Sequence, residues 1–291
     1  MAAHSNFYMG CAVWSYKGWN GDFYPESTPP SRMLELYTQR MSAVEGNTTF
    51  YAIPSDQNIE RWREAMPRGF KFCPKLYKGF THDGSLMRHE DDLHRLHDRL
   101  ATFGENLGVV MLQMPPSYGP EHAQELEAFL RAWRSWGKLA LSVELRHTQW
   151  WSAPQAAALQ AMLQEHDIGR VLLDTRTMYD DPDDPQRDSQ RRKPNVPLRF
   201  EVSAQEVIIR YIGHPVLERN RPYLEAWREW IARWLEQGLD VYFFAHCPKE
   251  EQSPHIARAM HRLLTRWGVD VPAFGWDTVP TQPEQTGLFG V

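Results

Sequence analysis

The stretch Leu139–Arg146, LALSVELR, decides the fold. Leu139, Leu141, Val143 and Leu145 alternate with Ala140, Ser142, Glu144 and Arg146. A period of two places the aliphatic series on one side of a β-strand and the small-then-charged series on the other. In a barrel wrapped by helices, the aliphatic side meets the helices. The other side points inward and ends in charge at the mouth.

Seven further runs share this character: Tyr8–Trp14, Ser42–Asn47, Phe70–Lys75, Gly108–Met114, Gly169–Asp174, Glu206–Gly213 and Asp240–His246. They recur every thirty to forty residues, roughly, the rhythm of a (β/α)8 barrel. The alternation sets Cys73 below Lys75, Met111 below Gln113, Leu172 below Asp174, Ile208 below Arg210 and Phe244 below His246. An apolar layer plugs the barrel and a polar layer forms its mouth. Between the strands, Pro30–Met41, Asp56–Ala65, Glu90–Phe103, Glu121–Trp136, Pro154–His166, Pro222–Glu236 and Pro254–Trp267 show helical spacing. Several open at proline, which favours the first helical turn.

The chain has 291 residues, enough for one large domain. The expected organisation is a barrel over residues 1–275 and a polar, flexible tail over 276–291. The segment Thr175–Leu198 is rich in Asp, Pro, Gln and Arg and reads as a loop or lid on the mouth side. Net charge is -5, so a broad nucleic-acid face is not implied. The three cysteines have no CxxC spacing and give no disulfide framework, which fits a reducing cytoplasm. No secretory signal and no membrane-spanning apolar run is legible. Of twelve tryptophans, Trp14 and Trp150 flank strand ends and are expected to wall a pocket, whereas those on helices, Trp267 among them, suit core packing.

The chemistry is expected at the strand ends. Carboxylates Glu45, Glu144 and Asp174 face cations Lys75, Arg146 and Arg210, with Asn47, His82, Gln113, His147 and His246 nearby. Cations can hold a phosphate or carboxylate group, and carboxylates or a histidine can then move protons. Glu144 leads as general acid or base, with Glu45, Asp174 and His147 beside it. The same oxygen and nitrogen donors would suit a divalent metal, an arrangement the three cations oppose. The bland alternative is an ion-pair network that only closes the barrel. No GxGxxG, GxxxxGK[ST], HExxH or GxSxG motif is present, so a nucleotide cofactor is not expected.

Five segments carry a resemblance: GCAVWSYKGWNGDFYP, VEGNTTFYAIP, FKFCPK with FTHD, LQMPP and VELRHTQWW. In this order they resemble the YecE-like family, domain of unknown function 72, over roughly residues 8 to 268. The resemblance implies a TIM-like barrel and no established reaction. It implies family-typical positions at Trp14, Glu45, Asn47, Thr49, Phe50, Tyr51, Lys75, His82, Gln113, Pro115, Glu144, Arg146 and His147, joined by Asp174 and Arg210. At the last strand the family often shows Phe-Asn-Asn, where this chain has Phe244-Ala245-His246.

Gln285-Thr286-Gly287-Leu288-Phe289 resembles the peptide by which bacterial proteins dock on the replication sliding clamp. Gln285 would fill a polar pocket, and Leu288 and Phe289 an apolar one. Three functions therefore compete: a metal-free acid–base enzyme acting on a small polar or anionic substrate, a metal-dependent phosphoesterase or DNA-repair nuclease recruited by the tail, and a non-enzymatic ligand-binding protein.

Overall fold

Eight parallel strands stand where alternation placed them, in a computed structural model that describes residues 6–180 and 193–279. They are β1 Phe7–Cys11, β2 Ala43–Gly46, β3 Lys71–Pro74, β4 Val110–Gln113, β5 Leu141–Glu144, β6 Gly169–Asp174, β7 Glu206–Ile212 and β8 Asp240–His246. Among the described residues, seven long helices follow all strands but β6. They are α1 Pro30–Thr38, α2 Asp56–Ala65, α3 Glu90–Ala101, α4 Ala123–Trp136, α5 Ala153–Glu165, α6 Arg221–Glu236 and α7 Ser253–Arg266. Proline occupies the first turn of α1, α5, α6 and α7, where its missing N–H costs nothing. Ser55 caps α2 by accepting from the Asn58 N–H at 3.2 Å.

The strands form a curled parallel six-stranded sheet, ordered β1-β8-β7-β6-β5-β4, and a two-stranded pair, β2-β3. An eight-stranded barrel was expected; the ladder is not continuous around all eight strands. Side chains bridge the β1–β2 seam. The Met9 N–H donates to Ser42 Oγ at 2.9 Å, and the Tyr37 hydroxyl accepts from Cys11 N and donates to Ala43 O, at 2.7 and 3.1 Å. Asn47 Nδ2 donates to Ala12 O at 2.9 Å. Gly10 is needed here, because a Cβ would lie 1.9 Å from Ala43 O. At the β3–β4 seam, isolated bridges join Phe72 to Leu107 and Lys75 to Met111.

Two apolar layers follow the alternation. Ala43, Cys73, Met111, Val171, Ile208 and Phe244 cluster inside the sheet. Val44, Phe72, Val143, Leu172, Ile209 and Phe243 join the larger core under the helices. Val171 inside and Leu172 outside reverse the facing expected of β6. Trp133, Trp227 and Trp234 are buried as helix packing predicts, but Trp267 is 62% exposed. It lies under the Arg228 guanidinium, 4.2 Å from its carbon to the ring centre. Trp276, the first residue of the expected tail, packs on the body of the fold: its N–H donates to Arg40 O at 3.1 Å, and its ring meets Phe23 at 5.0 Å. The sliding-clamp-like peptide, Gln285–Phe289, lies outside the described residues, as does half of the expected loop after β6. No described helix is long and apolar enough to cross a membrane.

Candidate active site

Arg210 is the centre of the mouth. As an inward residue of β7 it projects above Ile208, with 2% of its side chain exposed. Its Nε and Nη2 donate to both oxygens of Glu45 from β2, at 2.7 and 2.9 Å. Its Nη1 donates to Glu144 from β5. One planar guanidinium thus ties three strands by the forked geometry that arginine favours with carboxylates.

The remaining carboxylate valence is used by neighbours. Lys75 Nζ, at the end of β3, lies 2.7 Å from Glu45 and donates to Gln113 Oε1 at 3.0 Å. Arg146 Nε donates to the other Glu144 oxygen at 2.6 Å. His246 Nε2 sits 2.9 Å from Glu45 Oε2. Burial opposes ionisation of both carboxyls, but Arg210 and its companions outweigh it. Lys75 and His246 help hold Glu45 well below the usual range; Arg146 and Lys75 do so for Glu144. Burial brings the His246 imidazole down to about 4, so near neutral pH it is uncharged and its Nε2–H donates a hydrogen bond to the Glu45 carboxylate. Burial and then Arg210 bring the Lys75 ammonium down to about 8 although Glu45 is adjacent. Burial thus disfavours both charges, but Glu45 has two cations and an imidazole to offset it, whereas Lys75 has the repulsion of Arg210 added to it.

Asp174 does not belong to this ring. It faces outward from β6, where Trp227 Nε1 on α6 donates to it at 2.7 Å. Arg176 Nε and Nη2 donate to it at 2.9 and 2.8 Å. The expected position above Leu172 holds, but both residues are on the helix side. β6 carries three apolar side chains in succession, Val171–Leu173, and is buried on both faces, so alternation could not fix which face was which.

Other expected site residues divide between the mouth and the framework. His82 is exposed, with its Nδ1 2.6 Å from Thr81 Oγ1 and its ring edge-on to Phe50. Burial, Arg146 and Lys78 lower its pKa, so it shares the mouth's positive field. Phe50 itself lies under Lys75, 5.9 Å from ring centre to Nζ. Gln113 is at the mouth on Lys75. Asn47 spans the β1–β2 seam, and His147 accepts from the Gln149 N–H at 3.3 Å. Trp14 and Trp150 do not form the expected aromatic wall. Trp14 packs edge-on against Trp62 and Phe72 in the outer core. Trp150 is buried, donating Nε1 to Tyr118 O at 2.7 Å. Indoles near strand ends are expected at a mouth, but the turns after β1 and β5 carry these two over the rim onto the helix layer.

Two mouth residues were missed. Lys193, from the segment after β6, comes within electrostatic reach of Arg210, Lys75, Glu144 and Glu45. Its carbonyl accepts from the Tyr179 hydroxyl at 2.6 Å. Burial, then Arg210 and Lys75, bring its ammonium down to about 7. Glu250 follows β8 and feels Glu45 and Lys193, and burial raises its carboxyl to about 8. Its backbone oxygen accepts from Trp19 Nε1 at 2.9 Å. Lys193 lies in an irregular segment and Glu250 opens a single 3-10 turn, Glu250–Gln252, so no periodicity flags either.

The ledger of charge has therefore shifted. Four cations, Lys75, Arg146, Lys193 and Arg210, face two ionised carboxylates, Glu45 and Glu144. Both of those carboxylates already accept bonds at both oxygens. A divalent metal would have to displace Arg210, Lys75 or Arg146 from them. Among the described residues no three His, Cys, Asp or Glu side chains converge as a metal site.

Comparison with known proteins places this arrangement. Residues 8–281 match the family model described as protein of unknown function DUF72. The UPF0759 protein YecE of Escherichia coli strain K12 is 31% identical over 286 residues, covering 97% of this chain and 99% of that protein. Crystal structures of two DUF72 family proteins are similar in fold. One is from Enterococcus faecalis V583, with TM-score 0.67 at 17% identity, covering 90% of this chain and 98% of that one. The other is from Thermotoga maritima MSB8, with TM-score 0.66 at 20% identity, covering 89% and 99%.

Proposed function

The chain belongs to the DUF72 family, and from that premise we propose that its eight strands act as a (β/α)8 barrel whose mouth binds a small anionic molecule and moves a proton on it. The observation that carries this reading is the excess of cations at the mouth over carboxylates free to balance them. Surplus positive charge in a partly dry site favours a phosphate or carboxylate ligand and raises its local concentration. Lys75, Arg146, Arg210 and Lys193 supply the grip.

The proton carriers are not the carboxylates that the sequence favoured. Glu45 and Glu144 are ionised and fully bonded, which makes them poor bases and places them as holders of the cations. Glu250 and Lys193 instead have environments that draw an acid up to about 8 and a base down to about 7. Such a pair is matched to proton transfer near neutral pH. We assign Glu250 as proton donor and Lys193, in the protonated form that grips the anion, as its electrostatic partner. The metal-dependent phosphoesterase or nuclease reading is weaker, because Asp174 is on the other face and the two mouth carboxylates are committed to cations.

Titration of inorganic phosphate against chemical shift or heat tests this. An anion needs the protonated lysines. Affinity for the phosphate dianion is therefore expected to be level below about pH 6 and to fall about tenfold by pH 9, the loss of roughly one charge-assisted contact. Lys193→Gln should weaken phosphate binding by a similar factor and remove the part of the pH dependence nearest 7. A wild-type affinity that is flat with pH and unmoved by Lys193→Gln would sink the proposal.

A further inference from the structure

The opposite end of the strands holds a second polar feature. A cavity of about 430 Å³ opens between the starts of β1 and β3 and the segment after α7. Phe7, Tyr8, Phe70 and Phe274 give it apolar walls, Ala273 lies on its rim, and Arg40 lines it. None of its lining residues is Asp or Glu.

Arg40 is 7% exposed and has no ion-pair partner among the described residues. Its Nη1 donates to Leu36 O at 2.9 Å, which caps the last turn of α1. That contact uses one of five N–H groups. Nε is buried without a hydrogen-bond partner. Burial lowers its pKa, and the one titratable neighbour that opposes this is the Tyr24 phenol. Buried guanidinium groups are normally matched by an anion, since leaving the charge unpaired is costly. The last wall of the cavity is fastened to the same residue, because Arg40 O accepts from Trp276 N at 3.1 Å.

We infer that this cavity is a second ligand site, taking a small organic carboxylate with its charged head on Arg40 and its apolar body against Phe7, Phe70 and Phe274. The cap on Leu36 explains why an arginine is tolerated here, not why a guanidinium with no ion-pair partner among the described residues lines an acid-free, aromatic-walled hollow. This site shares no residue with the mouth, so either can be lost without the other.

4-Fluorobenzoate, followed by ¹⁹F NMR on the full chain, tests it. With excess inorganic phosphate present to occupy the mouth, binding at millimolar concentration is expected in the wild type and unchanged in Lys193→Gln. It should weaken at least about tenfold in Arg40→Gln. Ala273→Trp, which fills the cavity from its exposed rim and leaves Arg40 in place, should weaken it as much. If Arg40→Gln fails to fold, Ala273→Trp decides alone. No binding to the wild type at about 10 mM, or undiminished binding in a folded variant of either kind, overturns the inference. Loss of phosphate binding at the mouth with fluorobenzoate binding intact overturns the mouth reading only.

Discussion

Arg210→Met is expected to cost about 3–5 kcal/mol of folding stability, the largest effect of any single substitution at the mouth. Glu45 and Glu144 are all but inaccessible to solvent, and Arg210 bonds to both. Methionine approximates the length of the side chain but brings no donor. Lys75 and Arg146 remain, one for each carboxylate, and neither can replace a forked contact from the centre. The cost is that of two buried charges losing their shared partner, not the net worth of the ion pairs in the intact fold. Urea unfolding of wild type and variant measures it. A loss below about 1 kcal/mol would mean that water already reaches the carboxylates, as at surface ion pairs.

The pH dependence of stability should also change sign at this site. In the wild type both carboxyls titrate below their unfolded range. Their contribution is therefore present above about pH 4.3 and is lost on acidification towards their depressed folded pKa values. Without Arg210, burial dominates and raises the folded pKa of at least one carboxyl. Stability should then increase as the pH falls from 7 towards 5, because protonation neutralises the stranded charge. Chemical unfolding at the two pH values separates this from a packing defect, which would lower stability equally at both.

The legible parts of the molecule are those in which one face of a strand differs from the other. β5 alternates aliphatic with small or charged residues, so Glu144 could be placed inward from sequence alone. Cys73 and Lys75, Met111 and Gln113, Ile208 and Arg210, and Phe244 and His246 were likewise readable as an apolar plug under a polar layer. β6 offered Val171, Leu172 and Leu173 in succession, and its burial on both sides erased the signal. Asp174 was consequently given to the wrong face. Lys193 and Glu250 reach the mouth from segments without regular spacing, so only the folded path of the chain identifies them. The two sides of these errors compound: one carboxylate leaves the mouth and one cation enters, turning an apparently balanced ring into a positive one. The fold could be read through local alternation, but the charge of the site depended on two irregular segments.

Asp174→Ala provides the sharpest separation between the mouth and the framework. It is expected to lower stability by about 2–3 kcal/mol while changing phosphate affinity less than about twofold. The loss follows from Trp227: its ring is buried, and Nε1 has Asp174 as its acceptor at 2.7 Å. Removing the carboxylate strands that donor beneath the sheet and releases Arg176 from a forked pair. Asp174→Asn should recover part of the loss, because an amide oxygen can still accept from the indole, although it cannot pair with the full charge of Arg176. Affinity should be spared because Asp174 and Arg210 occupy opposite faces of adjacent strands, and the cations that grip the anion are tied to Glu45 and Glu144. Paired measurements of urea midpoint and phosphate affinity decide the matter. A tenfold change in affinity at unchanged stability would return Asp174 to the mouth and restore the balanced ring; a stability loss with affinity intact would leave the mouth with its excess of positive charge.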